Sequence, residues 1–378
     1  MSTMRELAPL PTTMSGVVLT GYGGFERLEY RDDLPVPRPR PHEVVINIRA
    51  AGMNNTDINT RTGWYHPAVT SGTTAEGGAA GFDVAEHGMG AWAGDIVFPR
   101  IQGADVSGYV VATGDDVDPS RLGQRVVCDP YCRANSDATG IASPDFLGAQ
   151  RDGGFAQFCA VPDANAHPVP AISIDDAKLA TLPCSAGTAM NMMLIASVGP
   201  GDRVIVTGAS GGVGTFLIQI APHLGADVVA IASADKHPGL EALGARVVDR
   251  HGPDPAGAAR EALGAAPTVI ADVVGGAAFG SLIDALGRGG RYITAGAIAG
   301  PLVELDLRTL YLKDLVFYGS TTYRHDTFPT LLDILAAGGV DPIVDSEWPL
   351  DQIVAAQRAF LAKTHIGSIV LSVPPAHL

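Results

Sequence analysis

Gly208-Ala-Ser-Gly-Gly-Val-Gly214, set directly after the β-branched run Arg203-Val-Ile-Val-Thr207 and directly before the apolar run Thr215-Phe-Leu-Ile-Gln-Ile-Ala221, decides the fold. A strand that turns through four glycines in seven residues into a helix lets backbone N–H groups approach an anion without Cβ interference. The positive end of the helix dipole faces the same point. A turn that merely needs positive φ would need only one glycine. The loop is therefore read as a dinucleotide pyrophosphate site, with Gly208, Ser210, Gly211, Gly212, Val213 and Gly214 as cofactor-binding residues.

Outward from this loop, strand-like and helix-like runs alternate. Asp227-Val-Val-Ala-Ile-Ala, Leu240-Glu-Ala-Leu, Ala245-Arg-Val-Val-Asp, Thr268-Val-Ile-Ala-Asp-Val-Val, Arg291-Tyr-Ile-Thr-Ala and Asp314-Leu-Val-Phe-Tyr-Gly predict a parallel doubly wound sheet of about six strands. Helix-like stretches from Asp326 to Leu335 and Leu350 to Leu361 precede a last apolar strand, Gly367-Ser-Ile-Val-Leu-Ser, which is free to return to the first half. That first half is mostly β. Its short runs, at Gly16-Val-Val-Leu, Glu43-Val-Val-Ile-Asn-Ile-Arg, Ser107-Gly-Tyr-Val-Val-Ala and Gln124-Arg-Val-Val-Cys, are punctuated by Gly and Pro. Between His66 and Asp95, Gly, Ala, Thr and Ser dominate without periodicity around a single large anchor, Trp92, and predict a long surface loop, either a lid or a disordered insertion.

Composition narrows the class. With 378 residues, 17% charged and 46% hydrophobic, the chain buries enough apolar surface to offset its conformational entropy over two domains. A net charge of -15 without any Lys/Arg cluster argues against nucleic acid, whose non-specific affinity comes from neutralised phosphates. No apolar run approaches the ~20 residues of a membrane span, and Met1-Ser-Thr-Met-Arg-Glu lacks the features of a signal peptide, so a soluble cytoplasmic protein is expected. Cys128, Cys132, Cys159 and Cys184 are too sparse for a disulfide scaffold and are read as reduced thiols, the first three as buried small hydrophobes.

The choice of dinucleotide turns on the end of the strand after the glycine helix, where an NAD enzyme usually places Asp or Glu for the ribose hydroxyls. Here that position, 19 beyond Gly214, is Ser233. A small hydroxyl leaves room for a 2′-phosphate, with Lys236 and Arg250 as its cations, so NADPH is expected over NADH. Two alternatives stay open: Asp235 accepts the ribose if the strand runs two residues longer, and Lys236 is a solvated lysine at a helix start.

Several ordered motifs now resemble the medium-chain dehydrogenase/reductase superfamily, in its zinc-free branch similar to quinone oxidoreductases. They are Asn54-Asn-Thr-Asp57 with Arg61-Thr-Gly-Trp-Tyr65, Gly103-Ala-Asp-Val-Ser-Gly108, Asp152-Gly-Gly-Phe-Ala156, Leu182-Pro-Cys-Ser-Ala-Gly-Thr-Ala189 and the glycine loop. The resemblance implies an α/β chain in which a Rossmann dinucleotide domain, residues 179–319, is inserted in a GroES-like β-rich catalytic domain, residues 1–178 plus 320–378, with the active site between them and a homodimer as the assembly. It also implies that Asn54 and Tyr65 sit near the nicotinamide, that Asp57 fixes their loop, and that Thr188 packs on the ring. Val274, Gly275, Gly296, Ala297 and Ile298 then line the nicotinamide ribose and carboxamide.

Zinc alcohol dehydrogenases of that superfamily carry Cys where this chain has Asn54, and Gly-His-Glu where it has Gly103-Ala104-Asp105; only Cys184 keeps a ligand type. Neither Asn54 nor Ala104 supplies thiolate or imidazole, and Cys128 and Cys132 do not make a four-cysteine lobe, so neither a catalytic nor a structural zinc is expected. His66 and His87 lack a third ligand at metal spacing.

Without a Lewis acid to hold an alkoxide, a conjugated acceptor is the easier substrate, because hydride addition spreads charge onto a carbonyl that hydrogen-bond donors can stabilise. The expected activity is NADPH-dependent, zinc-independent reduction of a quinone or α,β-unsaturated carbonyl. Tyr65 is the donor, or else an aromatic wall, with Asn54 and Asp57 beside it. Two rivals remain: an enoyl-thioester reductase, and a non-catalytic NADPH-binding regulatory protein.

Overall fold

In the computed structural model of the chain, residues 9–83, 96–133, 144–169 and 171–376 are described. His87 and Trp92 lie outside them.

The glycine loop sits at the centre of a six-stranded parallel sheet. Its spatial order is Arg246–Asp249, Asp227–Ala232, Arg203–Val206, Val269–Asp272, Arg291–Thr294, Val316–Gly319. The chain leaves in one direction from Arg203–Val206 and later in the other, so the strand order reverses between Arg203–Val206 and Val269–Asp272, where a doubly wound sheet opens its ligand crevice. Period-two alternation explains why these short strands read as near-continuous apolar runs: Val204, Val206 and Ala230 pack on one face with Met190, Leu217 and Leu331, while Ile205, Val229 and Ile270 pack on the other with Leu263, Phe279 and Leu282. The run predicted to continue to Val274 stops at Asp272, because that carboxylate accepts the N–H groups of Val274 and Gly275 and bends the chain.

The second lobe is built on the ten-residue strand Glu43–Gly52, antiparallel to Ser107–Thr113, Phe158–Pro162 and Ser368–Ser372. The C-terminal strand thus returns across the molecule, with Val370, Leu371 and Ser372 opposite Gly52, Ala51 and Ala50. Val344–Pro349 adds in parallel outside it, and a smaller sheet, Leu28–Pro35, Thr13–Leu19 and Arg100–Ile101, closes over the apolar face. Cys128, Cys132 and Cys159 are buried there as small apolar groups, and burial pushes all three thiols up.

The segment after His66 departs from the expected irregular loop. A helix, Ala75–Ala80, forms within it, capped by the Thr74 hydroxyl, which accepts from the Gly77 N–H at 3.0 Å. Two glycines in six residues disfavour a helix, so tertiary contact decides it. A Cβ at Gly78 would lie 2.4 Å from Leu361 Cδ2, and the carbonyl of Gly78 accepts from the guanidinium of Arg61.

Candidate active site

The glycine loop has the geometry an anion needs. Gly208 has φ +57°, a region that favours glycine, and a Cβ at Gly214 would lie 2.3 Å from the Gly208 carbonyl, so strand and helix cross closely only without a side chain there. Gly211 precedes the helix Gly212–His223 as its cap and bridges to Gly367, which occupies the Gly212 amide, while the next amide of that helix, Val213, has no carbonyl in a preceding turn. The other lobe reaches the same loop: Gly367 N–H donates to the carbonyl of Ser210 at 2.9 Å, and a Cβ at Gly212 would meet Ser185 Oγ at 2.5 Å. Beneath it, the fully buried Asp272 accepts from Thr207, from Tyr292 at 2.5 Å and from Val274 N–H at 2.8 Å, tying three central strands together.

Ser233, Asp235, Lys236 and Arg250 form one cluster past the strand ends. The strand Asp227–Ala232 stops before Ser233, and Asp235 lies beyond it in the short 3-10 helix Ala234–Lys236, so the longer strand that would make Asp235 the ribose acceptor does not form. The Ser233 hydroxyl, with Lys236 and Arg250 nearby, holds the Asp235 carboxyl below the usual range. Lys236 is 6% exposed and 3.9 Å from an Asp235 oxygen, which corrects the picture of a solvated lysine. Arg250 is exposed, with Nε 3.0 Å from His251 Nε2. Beside them the C-terminal segment brings His365, which no sequence motif marked; it is buried, its Nδ1 has no hydrogen-bond partner among the described residues, and burial pushes its pKa down to about 4.

Across the cleft, Asn54 caps the helix Asn55–Thr62 and lies at the centre of a buried polar network. Its amide donates to Asp105 Oδ2 at 2.7 Å and its carbonyl oxygen accepts from Ser185 Oγ at 3.0 Å. The second Asp105 oxygen accepts the Cys184 N–H at 2.6 Å, and burial pushes the carboxyl up to about 7. Asp57 accepts the Asn54 N–H at 2.8 Å and also bonds the backbones of Ala104 and Gly103; burial pushes it to about 7 as well. Asp57 is thus a buried cap whose described partners are main-chain groups. Asp105 and Ser185 were missed as site residues because their pairing with Asn54 spans 51 and 131 positions.

Tyr65 follows the same helix, with its hydroxyl 3.3 Å from Thr56 Oγ1 and bonded to the side chain of Asn59. Burial first, then Cys184 and Asp57, push the phenol's pKa up, so it stays protonated and able to donate. Thr188 lies 3.1 Å from the hydroxyl of Tyr323, which itself donates to the Pro183 and Cys184 carbonyls at 3.0 and 2.8 Å. On the nucleotide side, Gly275 has φ +65°, Ala299 N–H donates to the Val274 carbonyl at 2.9 Å, and the Thr294 hydroxyl donates to the Gly296 carbonyl at 3.1 Å. These bonds put Val274, Gly275, Gly296, Ala297 and Ile298 on the adjoining loops that follow Val269–Asp272 and Arg291–Thr294, beside the switch point.

The donor set where a zinc relative binds its metal does not fit zinc. Asn54 offers an amide where a thiolate is needed, Ala104 offers a methyl where an imidazole is needed, and both Asp105 oxygens accept N–H donors, which leaves Cys184 as the one ligand type present. Among the described residues, no group of three or more His, Cys, Asp or Glu is placed to hold a metal, and no helix is long and apolar enough to cross a membrane.

Known proteins match over nearly the whole chain. The alcohol dehydrogenase GroES-like domain family matches residues 40–171, and the zinc-binding dehydrogenase family residues 212–337. A zinc-type alcohol dehydrogenase-like protein of Schizosaccharomyces pombe is 26% identical, over 94% of this chain and 98% of its own. An acryloyl-coenzyme A reductase of Metallosphaera sedula is 25% identical over 95% of this chain and all of its own. A crystal structure of a provisionally assigned alcohol dehydrogenase of Sinorhizobium meliloti superimposes with a TM-score of 0.86 at 40% identity, covering 99% of this chain and 100% of that one. The doubly wound sheet with its glycine loop, facing a β-rich lobe through which the C-terminal strand returns, superimposes over nearly its whole length on that crystal structure, and this chain belongs to the medium-chain dehydrogenase/reductase superfamily of pyridine-nucleotide-dependent oxidoreductases.

Proposed function

We propose that the protein is an NADPH-dependent, zinc-independent reductase of activated C=C bonds, in quinones or α,β-unsaturated carbonyls. The observation that carries this reading is the closed Asn54–Asp105–Ser185 network, which uses for hydrogen bonds the atoms a Lewis acid would need. A conjugated acceptor fits such a site, because its developing charge is met by donors rather than a metal. When bound, the nicotinamide supplies the hydride. The chain's residues hold and orient: the glycine turn and the Val213 amide face the pyrophosphate, Ser233, Lys236 and Arg250 take the 2′-phosphate, and Thr188 with residues 274–275 and 296–298 flanks the nicotinamide. Asn54 and Asp57 fix the start of the helix that Tyr65 follows, and the protonated Tyr65 hydroxyl donates to the acceptor's carbonyl oxygen.

An enoyl thioester is the second acceptor class, favoured by the similarity to the acryloyl-coenzyme A reductase. Its activated C=C bond makes the same demand on Tyr65. For assembly, we read the exposed Leu307, Tyr311, Leu312 and Val316, beside the open edge strand Val316–Gly319, as the face of a homodimer.

The test is NADPH and NADH oxidation by chelator-treated protein against quinones, enones and an enoyl thioester. NADPH turnover that survives chelation is expected. Turnover lost on chelation and restored by zinc would overturn the metal-free reading, and tight NADPH binding without turnover of any acceptor would favour a regulatory cofactor-binding protein.

A further inference from the structure

The stretch after Tyr65 crosses from one lobe to the other. The Thr73 N–H donates to the carbonyl of Ile298, on the loop assigned above to the nicotinamide, at 2.9 Å. The approach is close enough that a Cβ at Gly72 would lie 2.4 Å from the Ile298 carbonyl oxygen and 2.8 Å from the Ala299 carbonyl carbon. The catalytic-lobe end is anchored by three bonds. The Thr73 hydroxyl donates to Asn59 Oδ1 at 2.8 Å, the Trp64 indole N–H donates to the Ser71 carbonyl at 2.9 Å, and the following helix is held at Gly78 by the buried Arg61. Asn59 is buried, and its side chain also bonds the Tyr65 hydroxyl. Thr73, 9% exposed, therefore holds the nicotinamide loop with its main chain and the partner of Tyr65 with its side chain.

We infer that Gly72–Thr73 is an interlobe latch and Thr73 a positioning residue: the latch closes the cleft over the nicotinamide end of the cofactor, must open for cofactor to leave, and sets Tyr65 in register with the Ile298 loop. A main-chain bond between two lobes, donated by the buried Thr73, resists their separation, and a side-chain bond to the same residue passes the closed position on to Asn59. Glycine at 72 is required by the close approach alone, since its φ lies outside the left-handed region.

The inference rests on the cofactor reading, so the first readout is independent of turnover. Release of NADPH is followed by nicotinamide fluorescence after stopped-flow displacement, in wild type, Gly72→Ala, Thr73→Val and Thr73→Ser. Gly72→Ala is expected to release cofactor roughly ten-fold faster, the rate equivalent of losing one hydrogen bond. Thr73→Val keeps the main-chain bond, so its release rate should match wild type while kcat falls and the alkaline limb of the pH profile moves. Thr73→Ser should restore both. Hydrogen exchange on the wild-type protein covers the case in which Gly72→Ala fails to fold: the peptides spanning 70–75 and 296–300 should gain protection together when NADPH is added. Wild-type release from Gly72→Ala, or protection of one peptide without the other, overturns the latch alone. No NADPH or NADH binding by wild type overturns the proposed function, and the latch with it.

Discussion

Asn54 and Asp105 are joined by a 2.7 Å hydrogen bond between the amide nitrogen and a carboxylate oxygen, at the point where the two lobes of the molecule meet. Both residues are almost fully buried, and the other Asp105 oxygen receives the Cys184 N–H from the nucleotide-side segment. A carboxyl so placed is caught between burial, which favours its neutral form, and two N–H donors, which favour its charge; burial prevails and pushes it to about 7.

Stability should carry the mark of that carboxyl. Asp105 and Asp57 are raised to about 7, so between the unfolded value of about 4 and pH 7 the folded state holds more protons, and their contribution to stability is lost as pH rises through this window. His167 and His365 are lowered to about 4, so between about 4 and 6.5 they work the other way and add stability with rising pH. The opposed pairs leave wild type with a shallow profile. Asp105→Asn removes one acid from the balance. Whatever its constant offset, its stability relative to wild type should climb with pH between 4 and 7, by about 1 kcal/mol per pH unit at the steepest. Urea unfolding of both proteins across that range checks it, and a pH-independent difference would rule it out.

Lys236 should govern which dinucleotide is held. Replacing it with Ala removes the buried cation beside Ser233 and should weaken NADPH about 10- to 100-fold while leaving NADH within about two-fold. Titrations of nicotinamide fluorescence with both cofactors decide the matter. An equal loss for the two would mean that Lys236 supports the fold and does not read the phosphate.

Tyr65→Phe removes the donor and keeps the ring against Trp64, 5.5 Å away between centroids. The expected result is a fall in kcat of about 10- to 1000-fold with NADPH affinity unchanged, the usual range for one lost general acid or oxyanion donor. Steady-state kinetics with the best acceptor from the panel measures it. An unchanged kcat would reduce Tyr65 to an aromatic wall.

Arg61 is fully buried, donating to Gly23 at 2.8 Å, to Gln357 at 3.0 Å and to Gly78, with its guanidinium 4.7 Å from the Phe25 ring. Burial pushes its pKa down to about 10, still charged at neutral pH. Arg61→Met leaves those acceptors unpaired and should cost about 3 kcal/mol of folding free energy. Thermal and urea unfolding should register the loss, together with early proteolysis near residues 72–83.

The cofactor half was legible because its signals are local. Strand, glycine turn and helix are adjacent in Arg203–Ala221. Asn54 and Tyr65 came from motif resemblance, and the geometry adds what surrounds them. The helix Ala75–Ala80 was not legible, since its composition opposes a helix and its support comes from Arg61 and Leu361. Nor was the burial of Lys236, which depends on the C-terminal segment around His365 folding back beside it.

By itself the sequence determined the doubly wound sheet and the glycine turn that joins its first strand to the following helix, because each follows from residues within a few positions of one another. Only the tertiary structure decided that Asn54, Asp105 and Ser185 form one network, that Gly367 is bonded to Ser210, and that Thr73 reaches Ile298. Those pairings join residues tens to hundreds of positions apart. Their energies depend on how two separately patterned lobes pack, which hydrophobic period and turn chemistry do not encode.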